Sequence, residues 1–204
     1  MKLLKKSIAI VLATTVLNVT AQNKELINAF SQSYDYEALQ KYDAAINSIN
    51  TVYNASSYET NLRLGWLNYI AGKSKDAVSY YQKAIQLMPA ATEPLWAIIN
   101  PLTVTQSWNE IEKTYLSILK LDPKSASANY NLGMIYYYRK DYVNAKKHFD
   151  VSLNLTPFNY NNMLMSGWTN YFLGNKNEAK TLFNKVLLYS PNDKSALEGL
   201  SLIK

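Results

Sequence analysis

The 204-residue sequence predicts a stacked-repeat fold rather than a globular domain around one core, and three observations carry that prediction. Pro89, Pro123, Pro157 and Pro191 follow one another at a constant interval of 34 residues. A fixed period of about 20–50 residues marks units that bury their apolar faces only by stacking on neighbours. The second observation is a pair of small positions. Counting each repeat so that its proline is position 32, position 8 holds Gly65, Ile99, Gly133 and Gly167, and position 20 holds Ala77, Ile111, Ala145 and Ala179. The third is position 24, which is aromatic every time: Tyr81, Tyr115, Phe149 and Phe183.

The stretch from Ala126 to Asn159 is the cleanest copy, with Leu132, Gly133, Tyr136, Ala145, Phe149 and Pro157. It resembles the tetratricopeptide repeat, whose pattern is Trp-x2-Leu-Gly-x2-Tyr, then Ala-x3-Phe, then Pro. The first and fourth repeats echo each other directly, as GWLNYIAG from Gly65 against GWTNYFLG from Gly167. The resemblance covers nearly all of the chain after the first two dozen residues. It implies an all-α solenoid, a right-handed superhelix of antiparallel helix pairs A and B. Small residues at positions 8 and 20 would let A and B approach closely, with the position-24 ring filling the space beside them. The proline would fall past the end of helix B, where it blocks further helix.

Taken in order, the elements begin with residues 1–21. Lys2, Lys5 and Lys6 precede an apolar run from Ile8 to Val19, closed by Val19-Thr20-Ala21. That is the layout of a cleavable signal peptide, and the run is shorter than the ~20 residues a spanning helix needs. The expectation is export to a periplasm, or secretion beyond it, with no membrane span after cleavage. Residues 22–57 read as an imperfect helix pair, with Tyr42, Ala45 and Ile49 in phase but no proline. Residues 58–193 hold four repeats, 58–91, 92–125, 126–159 and 160–193. Asp141, a good N-cap residue, opens helix B of the third. Residues 194–204 read as a C-terminal capping helix with Ala196, Leu197, Leu200 and Ile203 on one face.

The second repeat is degenerate. Both of its small positions hold isoleucine, and Pro101 lies inside the expected helix A. Proline there removes one intrahelical hydrogen bond and crowds the carbonyl of Ala97, so the helix is expected to kink or stop early around Asn100 to Gln106.

Charge and composition exclude several functions. Loss of Lys2, Lys5 and Lys6 with the signal lowers the formal charge from +6 to +3. The remaining charges are interspersed, so the electrostatic footprint of a nucleic-acid binder is absent. With no cysteine and one histidine, His148, no transition-metal constellation assembles. No nucleophile elbow or phosphate-cradling glycine loop occurs. No catalytic residue, metal or cofactor is expected. The acid pairs Asp35/Glu37 and Glu110/Glu112 read as solvated helix-end charges, and His148 as a partly exposed surface residue.

What remains is the inner face of the helix-A stack, which the resemblance maps to positions 2, 5, 9, 12 and 13. Candidate groove residues are Trp66, Tyr69, Trp96, Asn100, Tyr130, Met134, Tyr137, Trp168 and Tyr171. The lysine and arginine clamp with which some family members grip a C-terminal carboxylate is absent. An aromatic, weakly charged groove suits an apolar protein or peptide segment, so a non-enzymatic binding scaffold is expected. The alternative is stacking on the sugar rings of a glycan or peptidoglycan strand.

Overall fold

The computed structural model describes residues 23–203, and the expected export segment lies outside them. The described residues form helices and turns without a strand. Helix α1 covers residues 23–38. It is followed by α2 (Tyr42–Asn50), α3 (Tyr58–Ile70), α4 (Ser74–Leu87), α5 (Glu93–Val104) and α6 (Trp108–Leu121). Then come α7 (Ala126–Tyr138), α8 (Tyr142–Leu155), α9 (Tyr160–Phe172), α10 (Lys176–Tyr189) and α11 (Lys194–Leu202). The chain divides into two compact units between Gln106 and Ser107, within the degenerate repeat.

Each boundary has a chemical cause. The B helices α4, α6, α8 and α10 all end two residues before their proline. The residue between, Met88, Asp122, Thr156 or Ser190, has φ of −132°, −133°, −134° and −138°. A residue that precedes proline is driven out of the helical region by the proline ring. Helix A then starts with a side-chain cap. Ser57, Ser125, Asn159 and Asp193 each accept a hydrogen bond from the backbone N–H three residues on. In the degenerate repeat this place is taken by Ala91, which has no oxygen to offer, and α5 begins one residue later in phase.

Between A and B the chain turns through one left-handed residue, at position 15 of every repeat. Gly72 and Gly174 adopt φ of 77° and 79°, while Gln106 and Lys140 are forced to 55° and 61°. Flanking bonds such as Lys73 N–H to Asn68 O (2.8 Å) and Gly72 N–H to Tyr69 O (3.0 Å) close a Schellman motif. Turns this short make A and B antiparallel neighbours.

Within each unit, consecutive helices pack together, and the A helices also touch: α3 with α5, α7 with α9, and α9 with α11. The A–B crossing is a glycine set on a ring. A Cβ at Gly65 would stand 2.6 Å from the Tyr81 ring, at Gly133 2.6 Å from Phe149, and at Gly167 2.8 Å from Phe183. Phe183 is covered on a second side by Gly199 of α11. Ala77, Ala145 and Ala179 are fully buried beside these rings.

Two expectations need correction. Helix α5 does not stop early. It runs through Pro101 to Val104, the same repeat position at which α3, α7 and α9 end. Pro101 and Leu102 are buried there, and burial of that apolar turn offsets the one missing hydrogen bond. In α11 the buried residues are Ala196 and Gly199, whereas Leu197 is 47% exposed. The face is set by the fit of Gly199 against Phe183, which rotates Leu197 outward.

Candidate functional site

In the first unit, α1 and α3 bring a polar cluster to the helix-A face. Arg63 is buried. Its Nη1 pairs with Glu37 at 2.5 Å, its Nε donates to Ser33 Oγ at 3.0 Å, and its guanidinium lies 3.9 Å over the Tyr34 ring. The other Glu37 oxygen accepts from Trp66 Nε1 at 2.6 Å. The Trp66 indole, 40% exposed, thus has its N–H satisfied and a ring surface open to solvent. It contacts Tyr69 at 6.1 Å. Tyr69 and Trp96 are half-buried, and Asn100 is exposed on α5. Tyr58, which donates to Glu93 at 3.1 Å, is pushed up to about 12 by burial and then by that carboxylate.

The second unit carries a contiguous set of rings. Tyr137 of α7 meets Tyr138 (5.9 Å), Tyr142 of α8 (5.6 Å) and Phe172 of α9 (6.0 Å). Tyr142 and Phe172 are stacked at 4.7 Å, and Phe172 continues to Tyr171 and Trp168 at 5.4 and 6.1 Å. The Trp168 N–H donates to Ser195 Oγ of α11 at 2.8 Å, and its ring leans on Phe183 at 5.2 Å. Burial and the neighbouring phenols push Tyr137 up to about 12. Tyr138 is 75% exposed and Phe172 47% exposed, while Tyr137, Tyr142, Trp168 and Tyr171 are half-buried.

Of the sequence-derived candidates, Tyr137, Trp168 and Tyr171 therefore share one ring cluster, and Trp66 and Tyr69 share another. Tyr130 is half-buried and packs on Phe149 at 5.7 Å; Met134 is half-buried on the same helix. Sequence reasoning passed over Tyr142 and Ser195, and read Glu37 as a solvated charge. Tyr142 stands on helix B, outside the mapped positions. Glu37 and Ser195 belong to the flanking elements, where the period gives no phase.

The reading of the acid pairs is also revised. Glu37 is not a free helix-end charge, and neither is Glu112, which accepts from Arg139 (2.5 Å) and Tyr136 (3.0 Å). Burial raises the Glu112 carboxyl, but these two donors outweigh it and hold the group below its usual range. His148 is half-buried, stacked on Tyr136 at 5.6 Å with Nδ1 3.1 Å from Asn129 Oδ1. Burial, and then the charge on Lys147, lowers its pKa and favours the neutral ring.

A cavity of about 190 Å³ opens beside Tyr130, between the end of α8 and the start of α9. Asn131, Ser152, Thr156, Asn161 and Asn162 line it. Among the described residues no group of three or more His, Cys, Asp or Glu could hold a metal ion. No described helix is long and apolar enough to cross a membrane.

The crystal structure of MamA is similar over 81% of this chain and 91% of that protein, with 19% identity and a TM-score of 0.69. A tetratricopeptide repeat protein from Parabacteroides merdae gives 20% identity and a TM-score of 0.72, covering 88% of this chain and 72% of that one. YrrB, described as a TPR protein with an unusual peptide-binding site, gives 14% identity and 0.70, covering 91% and 97%. Identities this low establish the fold. No curated protein matches the chain in sequence. Tetratricopeptide-repeat family models match residues 30–92, 126–159 and 162–193, together well over half of the sequence. With the helix pairs α3–α4, α7–α8 and α9–α10 capped, turned and crossed in the same register, the chain belongs to the tetratricopeptide-repeat family.

Proposed function

We propose that this protein is an exported, non-enzymatic scaffold that holds a peptide segment of a partner protein on its aromatic helix-A face. The observation that carries the reading is the ring cluster of the second unit. Six aromatic side chains are contiguous and uncharged, the Trp168 N–H is already satisfied, and Tyr138 and Phe172 are open to solvent. Rings held rigidly by their neighbours lose little freedom on binding, and each aromatic anchor contributes about 2 kcal/mol or more. The peptide-binding description of YrrB, a fold relative, agrees with such a use of this architecture. Export rests on the basic, apolar and small-residue order of residues 1–21.

Fluorescence anisotropy against a panel of labelled apolar peptides tests the binding claim. Phe172→Ala should weaken the best binder at least tenfold while helical circular dichroism stays unchanged. Equal affinity for the variant, or binding to cell-wall oligosaccharides in place of any peptide, contradicts it. Mass spectrometry of the protein from its native cell tests export: the expected first residue is Gln22, and a retained Met1 overturns that part.

A further inference from the structure

The cavity beside Tyr130 lies next to the helix-A face but differs from it in chemistry. Its walls combine one phenol with amide and hydroxyl groups, and no acid or base takes part. The floor is tied together: Ser152 Oγ shares its one proton between Ala126 O at 2.9 Å and Asn162 Oδ1 at 3.2 Å, and Asn162 Nδ2 donates to Thr156 Oγ1 at 2.6 Å. Ser152 and Asn162 are buried, so these groups are fixed in place by the fold. Capacity is left over. A carboxamide has two N–H donors and two acceptor lone pairs, and Asn162 spends one of each kind on Thr156 and Ser152. Asn131 spends one N–H on Ser127 O at 2.8 Å.

We infer that this cavity is a specificity pocket for a neutral carboxamide side chain, glutamine or asparagine, of the bound peptide. The inference rests on the peptide-binding reading above. At about 190 Å³ the cavity exceeds by far the ~10–15 Å³ that one water needs, so a group of several atoms fits. A carboxylate or ammonium would enter with no opposite charge to meet it. An apolar side chain would leave the pocket's donors and acceptors unpaired. A carboxamide offers both a donor pair and an acceptor, which matches a wall made of the same groups. A sugar ring is served less well, because the wall holds a single ring, Tyr130, and no second aromatic side chain lines the cavity opposite it.

The test titrates the full-length mature chain with blocked peptides, differing only at one residue, by isothermal calorimetry. The parent is the best apolar binder from the anisotropy panel, carrying Gln at each position in turn. At one position the Gln peptide should bind about tenfold tighter than its Glu or Met counterparts. The double variant Asn131→Ala/Asn161→Ala, both outside the buried floor, should erase that preference and leave the Met peptide's affinity unchanged. Equal binding of Gln, Glu and Met peptides at every position, with sensitivity to Phe172→Ala retained, overturns the pocket but spares the aromatic face. Loss of binding by all peptides, with a tri-N-acetylglucosamine probe bound instead, overturns both.

Discussion

At the residue scale, one backbone position separates the repeats. Position 15 needs a left-handed residue, and two of the four repeats meet that need without glycine, at Gln106 and Lys140. An L-residue with a Cβ carries a cost of about 1–2 kcal/mol in that conformation, part of which glycine returns as extra freedom of the unfolded chain. Lys140→Gly should therefore stabilise the second unit by about 0.5–1 kcal/mol, seen as a higher denaturant midpoint at unchanged m-value. The sole histidine supplies a second residue-scale test. His148 has its folded-state pKa lowered by burial, so the unfolded chain binds its proton first as pH falls. The stability it contributes is complete above the unfolded value near ~6.5 and drains away as pH falls through the folded one. Urea midpoints should decline between about pH 7 and pH 5, and His148→Gln should flatten that part of the profile.

At the element scale, each helix pair is specified by a few local devices, which is why so much of it was legible beforehand. Proline ends helix B by acting on the residue before it, and a capping side chain begins the next helix A. Ser125→Ala removes one such cap from α7 and should cost about 1 kcal/mol, read from the thermal or urea transition. The glycine-on-ring crossing was legible because both partners lie in one repeat at fixed positions. Gly199 was not, since it packs on Phe183 from an element outside the proline phase. An early stop at Pro101 was misjudged because a local rule, the lost hydrogen bond, was weighed without the burial that retains the helix. The Tyr142–Phe172 stack was invisible for another reason. It joins positions 17 and 13 of adjacent repeats, which read Ser74/Val104, Trp108/Tyr138 and Tyr142/Phe172 along the chain, so periodicity alone does not single it out.

At the scale of the whole molecule, the family gives a frame, and the side chains on its A helices give the function. The two compact units each present aromatic residues there in different company. In the first, Trp66 is tied to a buried arginine–carboxylate pair; in the second, six rings gather where α7 and α9 end, and a neutral amide-lined cavity opens where those helices begin. The sequence placed all of these rings but Tyr142 on A helices, and it could not distinguish core from surface there, because both demand aromatics at helical spacing. Burial decides it: Tyr130, Tyr137, Trp168 and Tyr171 are half-buried, whereas Tyr138 and Phe172 are open.

The central claim is that the open rings of the second unit contact a peptide. Its most direct test is a photo-crosslinking amino acid placed at Tyr138 or Phe172 in the native cell, with exposed Lys147 and Lys185 on the B helices as control sites. Crosslinks from 138 and 172 should converge on one short segment of a partner protein and be absent from 147 and 185. Equal labelling from all four sites, or none from 138 and 172, would contradict the account.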